Sequence, residues 1–116
     1  MKQESFELFN EWFTYDIQSP SCIAWKKRPY RSPVQVGDPC ATWTGRYYRV
    51  RLKGNYHQCS RIVLVLHGIL PKAGQVADHI DRNTRNNRVE NLRWVSHAQN
   101  IKNTPAKGRS GFKFSS

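Results

Sequence analysis

Apolar residues recur at a helical spacing near the N-terminus. In residues 5–16, SFELFNEWFTYD, Phe6, Phe9 and Phe13 fall three and four apart, with Leu8 and Trp12 beside them. That spacing predicts an amphipathic helix over 5–16, its aromatic stripe facing the core and Ser5 as its cap. Ser21 to Trp25 predicts a short strand ending in the basic run Lys26-Lys27-Arg28, and Pro29, Pro33, Gly37 and Pro39 mark irregular chain after it. Residues 46–59, RYYRVRLKGNYHQC, alternate apolar and polar around Lys53-Gly54-Asn55, the pattern of a β-hairpin. Tyr48, Val50 and Leu52 share one face of its first strand, and Tyr47, Arg49, Arg51 and Lys53 share the other. Residues 61–69, RIVLVLHGI, fit strand or helix by pattern alone and close at Gly68, Pro71 and Gly74. His67 in that run reads as a packed, hydrogen-bonded ring. Gln75 to Ile80 predicts a strand, Arg82–Arg88 a polar loop, Leu92 to Val95 the return strand, and Ser96 the cap of a helix over His97 to Asn103.

The length of 116 residues suits one domain, with residues 105–116 as a flexible basic tail. Mean hydropathy is −0.74, yet four Trp, five Tyr and five Phe supply enough apolar surface for a core. No apolar run approaches the ~20 residues of a membrane span. Met1-Lys2-Gln3-Glu4 lacks the start of a secretory signal. A membrane or exported protein is therefore not expected, and a cytoplasmic one is.

Charge gives the first positive clue. The chain carries +11 and a pI near 10.1. Residues 1–20 hold Lys2 against Glu4, Glu7, Glu11 and Asp16, a net of −3, and the remaining residues carry +14. A surplus of that size repels itself unless a polyanion relieves it, and nucleic acid is the leading partner. A basic β-ribbon carrying an aromatic fits a DNA groove and its flanking phosphates, and also fits a solvated outer face. Cys22, Cys40 and Cys59 form no CxxC and are odd in number, which argues against a disulfide framework. A zinc site from Cys22, Cys40, His57 and Cys59 has unsuitable spacing, and the cysteines read as small buried hydrophobes.

Three ordered words carry a family resemblance: Asp78-His79-Ile80-Asp81, then Asn86-Asn87-Arg88-Val89-Glu90-Asn91-Leu92-Arg93, then Ser96-His97-Ala98-Gln99-Asn100. The segment resembles the HNH nuclease motif of phage-encoded and homing-type endonucleases. Phe13-Thr14-Tyr15-Asp16, Ala24-Trp25-Lys26 and Tyr48-Arg49-Val50-Arg51-Leu52 with Gly54 resemble the N-terminal half of such proteins, so the likeness spans about residues 6–103. It implies an α+β chain: a ββα-metal fold over 60–104, preceded within one domain (1–104) by an N-terminal helix and a small antiparallel β-sheet (1–59). By motif position His79 matches the general base. Asp78 and Asn100 match metal ligands, with His97 a further candidate or an exposed first-turn residue. Asn91 matches the middle asparagine, which shapes the loop through hydrogen bonds and helps orient the base. Asp81 is expected to cap the loop or to support the metal shell. Relatives usually show His-Arg-Leu where this chain has Ser60-Arg61-Ile62, and His57 is the candidate to substitute for that histidine.

The chemistry asks for these residue types. A neutral imidazole accepts a proton from water near neutral pH. Carboxylate and amide oxygens suit a hard cation, Mg²⁺ with Mn²⁺ as substitute, which polarises the phosphoryl group. Asp78 and His79 are neighbours and point to opposite faces of a regular strand, so a bulge or a strand end is needed for both to serve. Arg49, Arg51, Lys53, Arg61, Arg82, Arg85, Arg88, Arg93 and Lys102 are the candidate phosphate contacts, and Glu90 pairs one of them. The resemblance implies hydrolysis of duplex DNA, nicking or double-strand cutting, by a monomer or homodimer in the cytoplasm (the host's, if phage-encoded). The rivals are a DNA-binding protein on the same fold without activity, a structural zinc protein, and charge-driven RNA binding.

Overall fold

The computed structural model describes residues 6–29 and 31–96. The Ser5 cap, the helix over 97–103 with His97, Asn100 and Lys102, and the 105–116 tail lie outside the described residues.

One short helix organises the chain around itself. Helix α2, Cys59–Leu66, buries Ile62, Val63, Leu64 and Val65 completely or nearly so. Four consecutive buried apolar residues point to every side of a helix, so most of this one has to sit inside a core. It packs against the N-terminal helix α1 (Phe6–Trp12) and against strands β1 (Phe13–Tyr15), β4 (Tyr48–Leu52), β5 (Asn55–Gln58), β6 (Gln75–His79) and β7 (Leu92–Ser96). The pattern leaves strand and helix open here, and the chain forms the helix. Its end explains the choice. Gly68, at φ +77°, donates to the Val65 carbonyl, and Ile69 donates to Leu64. Those two bonds make a Schellman cap, which needs a residue free to adopt a left-handed conformation. His67, the last-turn residue, shares a 2.8 Å hydrogen bond with the Val63 carbonyl through Nδ1 and stands edge-on to Tyr15.

The N-terminal helix is shorter than its aromatic spacing predicts. It ends at Trp12, and Phe13–Tyr15 turns into β1, antiparallel to β2 (Ile23–Trp25) with Phe13 opposite Trp25. The apolar stripe does not separate the two outcomes, because Phe13 faces inward in both. Phe9 and Phe13 are fully buried, whereas Phe6 is exposed. Strand β2 is buried throughout, and its other edge is met by residues 37–40. The Trp25 N–H donates to the Asp38 carbonyl, the Gly37 N–H to the Trp25 carbonyl and the Cys40 N–H to the Ile23 carbonyl, with a bridge between Ala24 and Pro39. Pro and Gly in that segment gave no strand signal.

The hairpin forms as its alternation predicts. Strand β4 pairs with β5 in the register Arg49 to Gln58, Val50 to His57 and Arg51 to Tyr56. Lys53 at φ +51° and Gly54 at φ +85° make the two-residue turn, a left-handed pair matched to strand twist. A short strand β3, Thr42–Trp43, adds to the other edge of β4. The last hairpin joins β6 to β7, with Asp78 opposite Arg93 and His79 opposite Leu92.

All three cysteines are free and buried. Among the described residues no group of three or more His, Cys, Asp or Glu side chains converges as a metal-ligand set. His57 instead lies edge-on to Phe9 in the core, with ring centroids 5.1 Å apart. Burial raises the Cys22 thiol, pushes Cys40 up to about 12, and raises Cys59 further. Thiolate is the reactive form, so these thiols are inert in the native state. We expect a thiol-specific reagent near pH 8 to label none of the three in native protein and all three in denaturant. Rapid native labelling, read by mass spectrometry, would contradict this packing.

Candidate active site

Two halves of the chain meet at one polar cleft of about 130 Å³. Tyr47 and Gln58 line it from the open end of the β4–β5 hairpin, and Ser60 from the first turn of α2. Ala77, Asp78 and His79 line it from β6, and Thr84 from the following loop. His79 is the last residue of β6, so the strand-end condition for sharing a pocket with Asp78 is met. Thr84 Oγ donates to the Arg46 carbonyl, which ties the loop to the turn before β4.

The imidazole is held by a buried amide. His79 Nε2 lies 2.7 Å from Asn87 Oδ1, and Asn87 Nδ2 donates to the Ser21 carbonyl at 3.3 Å. Asn87 is 1% exposed, so each end of its amide needs a partner. A carbonyl only accepts, which fixes Nδ2 toward Ser21 and Oδ1 toward His79. That oxygen also only accepts, so Nε2 carries the ring proton and Nδ1 keeps its lone pair. Ser21 is anchored in turn, its hydroxyl donating to the Cys40 carbonyl.

The loop that delivers Asn87 is built from side chains standing in for backbone partners. The Asp81 N–H donates to Asn91 Oδ1, and Asn91 Nδ2 donates to Asp81 Oδ1 and to the Asn86 carbonyl. Asn86 Nδ2 reaches Asp81 Oδ2, and the amides of Asn83, Arg85 and Arg88 each bond an Asp or Asn side chain two residues back. Asp and Asn suit such turns because their short polar side chains mimic a backbone turn. From outside, the Tyr15 hydroxyl accepts the Val89 N–H, the first residue of a 3₁₀ turn spanning Val89–Asn91. Asn91 is thus the loop's staple, one of the two roles read for it. It is Asn87 that meets the His79 ring.

The candidate cations divide by surroundings. Arg93 Nε pairs with Asp78 Oδ2 at 2.9 Å. Arg49 stacks on Tyr56 at 3.8 Å, with Arg51 on the same ring at 5.7 Å, so the outer face of the hairpin is a basic ladder around one aromatic. Arg85 covers Trp43 at 3.9 Å and Arg61 covers Trp94 at 4.8 Å. Trp94 is half-buried, and its indole N–H donates to the Ile69 carbonyl, which fits a core role. Lys53 sits at the hairpin tip, and Arg82 and Arg88 are exposed on the loop.

Sequence reasoning passed over Asn87, Gln58 and Thr84, and met Ser60 only as a departure from relatives. A lone buried asparagine eight residues after a histidine has no pattern of its own among Asn83, Asn86 and Asn87. Ser60 lines the cleft at the position where relatives usually show histidine. His57 does not reach the cleft to replace it, because residues 57 and 58 point to opposite faces of β5 and the cleft is lined by Gln58.

The profile of the HNH endonuclease family matches residues 58–102. No curated protein and no solved structure matches the chain.

Burial alone raises the Asp81 carboxyl. Hydrogen bonds from Asn83, Asn86 and Asn91, with the nearby His79, outweigh it and hold the group below the usual carboxylate range. A depressed folded value stabilises the loop above the unfolded value of about 4, and that contribution is lost as pH falls through the folded value. We expect the Asn83 amide resonance to stay constant down to about pH 4 and then to titrate below it. Asp81→Asn should abolish that titration. A midpoint above the unfolded value would contradict the arrangement.

Proposed function

The chain carries an HNH endonuclease segment at residues 58–102, and on that premise we propose that it is a metal-dependent endonuclease hydrolysing phosphodiester bonds in duplex DNA. The observation that carries the reading is the His79–Asn87 hydrogen bond, which commits Nε2 and leaves Nδ1 as the basic nitrogen of a histidine that lines a polar cleft together with Asp78.

In this reading His79 Nδ1 takes a proton from a water molecule as its oxygen attacks the phosphorus. The bond from phosphorus to the leaving oxygen breaks, and that oxygen takes a proton from solvent. Asn87 holds the ring so that Nδ1 is the basic nitrogen, and an imidazolium formed on proton capture donates more strongly to the Asn87 oxygen. The donor set fits a hard cation. Asp78 offers a carboxylate, and Tyr47, Gln58, Ser60 and Thr84 line the cleft with hydroxyl and amide oxygens. Asp78 would hold Mg²⁺ or Mn²⁺, with Asn100 and His97 as proposed ligands. Such an ion, when bound, supplies charge relief at the phosphoryl and leaving oxygens.

The surrounding cations support a DNA substrate. Arg49, Arg51 and Lys53 line the hairpin leading from the cleft, and Arg61, Arg82, Arg85, Arg88 and Arg93 are proposed phosphate contacts with Lys102. No helix among the described residues is long and apolar enough to cross a membrane. We take the chain to act as a monomer or homodimer in the cytoplasm, as a homing-type enzyme of phage origin would in its host.

The Arg93–Asp78 pair favours one rival, a chain that binds DNA on this fold without cutting it, because the guanidinium occupies the carboxylate a cation would use. Arg93 is half-exposed in that pair and Asp78 largely buried, so a divalent cation entering the cleft competes with the guanidinium for the same carboxylate.

Incubation with supercoiled plasmid and Mg²⁺ tests the reading. Wild type should nick or linearise the plasmid, and His79→Ala should slow cutting by on the order of a hundredfold or more. Equal rates would discard the catalytic assignment. Salt-dependent binding without cleavage in Mg²⁺ or Mn²⁺ would favour the rival.

A further inference from the structure

A second, larger cavity opens at the far end of the basic hairpin from the cleft. It measures about 540 Å³, within the range of small-ligand pockets. Trp12, Trp25, Pro29 and Leu52 supply its apolar walls, and Arg51 and Lys53 its cationic ones. Trp25 is a fixed wall, since it is buried and packs on Phe13 with ring centroids 5.2 Å apart. Trp12 is the accessible one. Lys27 and Lys53 hold their ammonium groups 4.8 and 5.7 Å from its ring centroid. Its indole N–H is buried with no hydrogen-bond partner among the described residues.

We propose that this cavity binds an unpaired nucleobase of the DNA strand lying along the β4–β5 hairpin, with Trp12 as the stacking wall and Arg51 and Lys53 on the adjoining phosphates. The inference rests on the endonuclease reading above and extends it to a site away from the reacting phosphate. Three observations select this occupant. Aromatic walls beside cations form the platform on which unpaired bases stack, whatever their sequence. An apolar peptide would match the walls but bring no anion to Arg51 and Lys53, whereas each nucleotide brings a base and a phosphate together. The cavity is also continuous with the basic face that begins at the cleft. Tyr47 lines the cleft and Arg51 and Lys53 line the cavity, four to six residues further along the same hairpin. At about 3.3 Å per strand residue that is roughly 13–20 Å, the rise of about four to six nucleotides in duplex DNA. Lys27 is also paired with Glu11, and both side chains are half-exposed, so an entering base moves Lys27 toward that carboxylate and Lys53 toward its own phosphate.

The test compares affinity for two short duplexes, one fully paired and one with a single extrahelical adenine, at fixed salt and without divalent cation. Wild type should bind the bulged duplex on the order of tenfold more tightly. Trp12→Leu keeps the burial and removes the stacking face, and Ser32→Phe fills the cavity from its loop rim. Both should bring the ratio close to one, whereas Trp12→Phe should keep most of it. Should Trp12→Leu fail to fold, Ser32→Phe still decides the matter. A wild-type ratio near one, or a ratio unchanged in Trp12→Leu and Ser32→Phe, overturns the cavity assignment while duplex binding leaves the endonuclease reading standing. Failure to bind either duplex overturns both.

Discussion

A single buried amide governs what this cleft can do. Asn87 spends its nitrogen on the Ser21 carbonyl and its oxygen on the His79 ring, and neither bond can be reversed without setting two acceptors against each other. The ring is thereby given one tautomer and one orientation. Its basic nitrogen is decided not by residues beside it in sequence but by a carbonyl 66 positions upstream of the amide. The N-terminal β1–β2 hairpin is accordingly part of the site. Tyr15, from the same hairpin, caps the other end of the loop through Val89.

Helix α2 gives those long-range contacts a rigid frame. Its buried Ile62, Val63, Leu64 and Val65 bring α1, the β4–β5 hairpin and the β6–β7 hairpin to one centre, and its first turn opens on the cleft at Ser60. The rim of the cleft is therefore drawn from the helix itself, from β5 and β6, which pack on it, and from Tyr47 just before β4 and Thr84 in the loop after β6. Rigid support of this kind is what keeps a proton acceptor within working distance of a bound phosphate. The surface outward of this frame is cationic and aromatic by turns. Arg49 and Arg51 lie on Tyr56, Arg85 on Trp43 and Arg61 on Trp94, which sets guanidinium groups and rings side by side along this surface.

Much of this was legible from residue order, and the exceptions share a cause. The β4–β5 hairpin, the β6–β7 pair and the loop between them follow from alternation and from Asp and Asn content. The pairing of Asp78 and His79 in one pocket follows from the motif and a strand end. Helix α1 ends early because Phe13 serves the core equally well as strand or helix, and only the pairing with Trp25 decides it. The pseudo-strand at 37–40 exists because β2 has a buried edge to satisfy, a need that lies in the partner and not in the Pro- and Gly-rich segment itself. Asn91 and Asn87 were distinguishable only by their partners. One closes the loop on Asp81, ten residues away, and the other leaves the loop for Ser21, 66 residues away. Local pattern finds residues whose role is local. It misses those whose role is to bridge.

The tautomer of His79 tests the central claim most directly. Long-range nitrogen–proton correlation spectra, recorded where the ring is neutral, should show Nε2 protonated and Nδ1 bare, and Asn87→Ala should convert that signal to a tautomeric average. A ring protonated at Nδ1, or one unchanged by Asn87→Ala, would contradict the account.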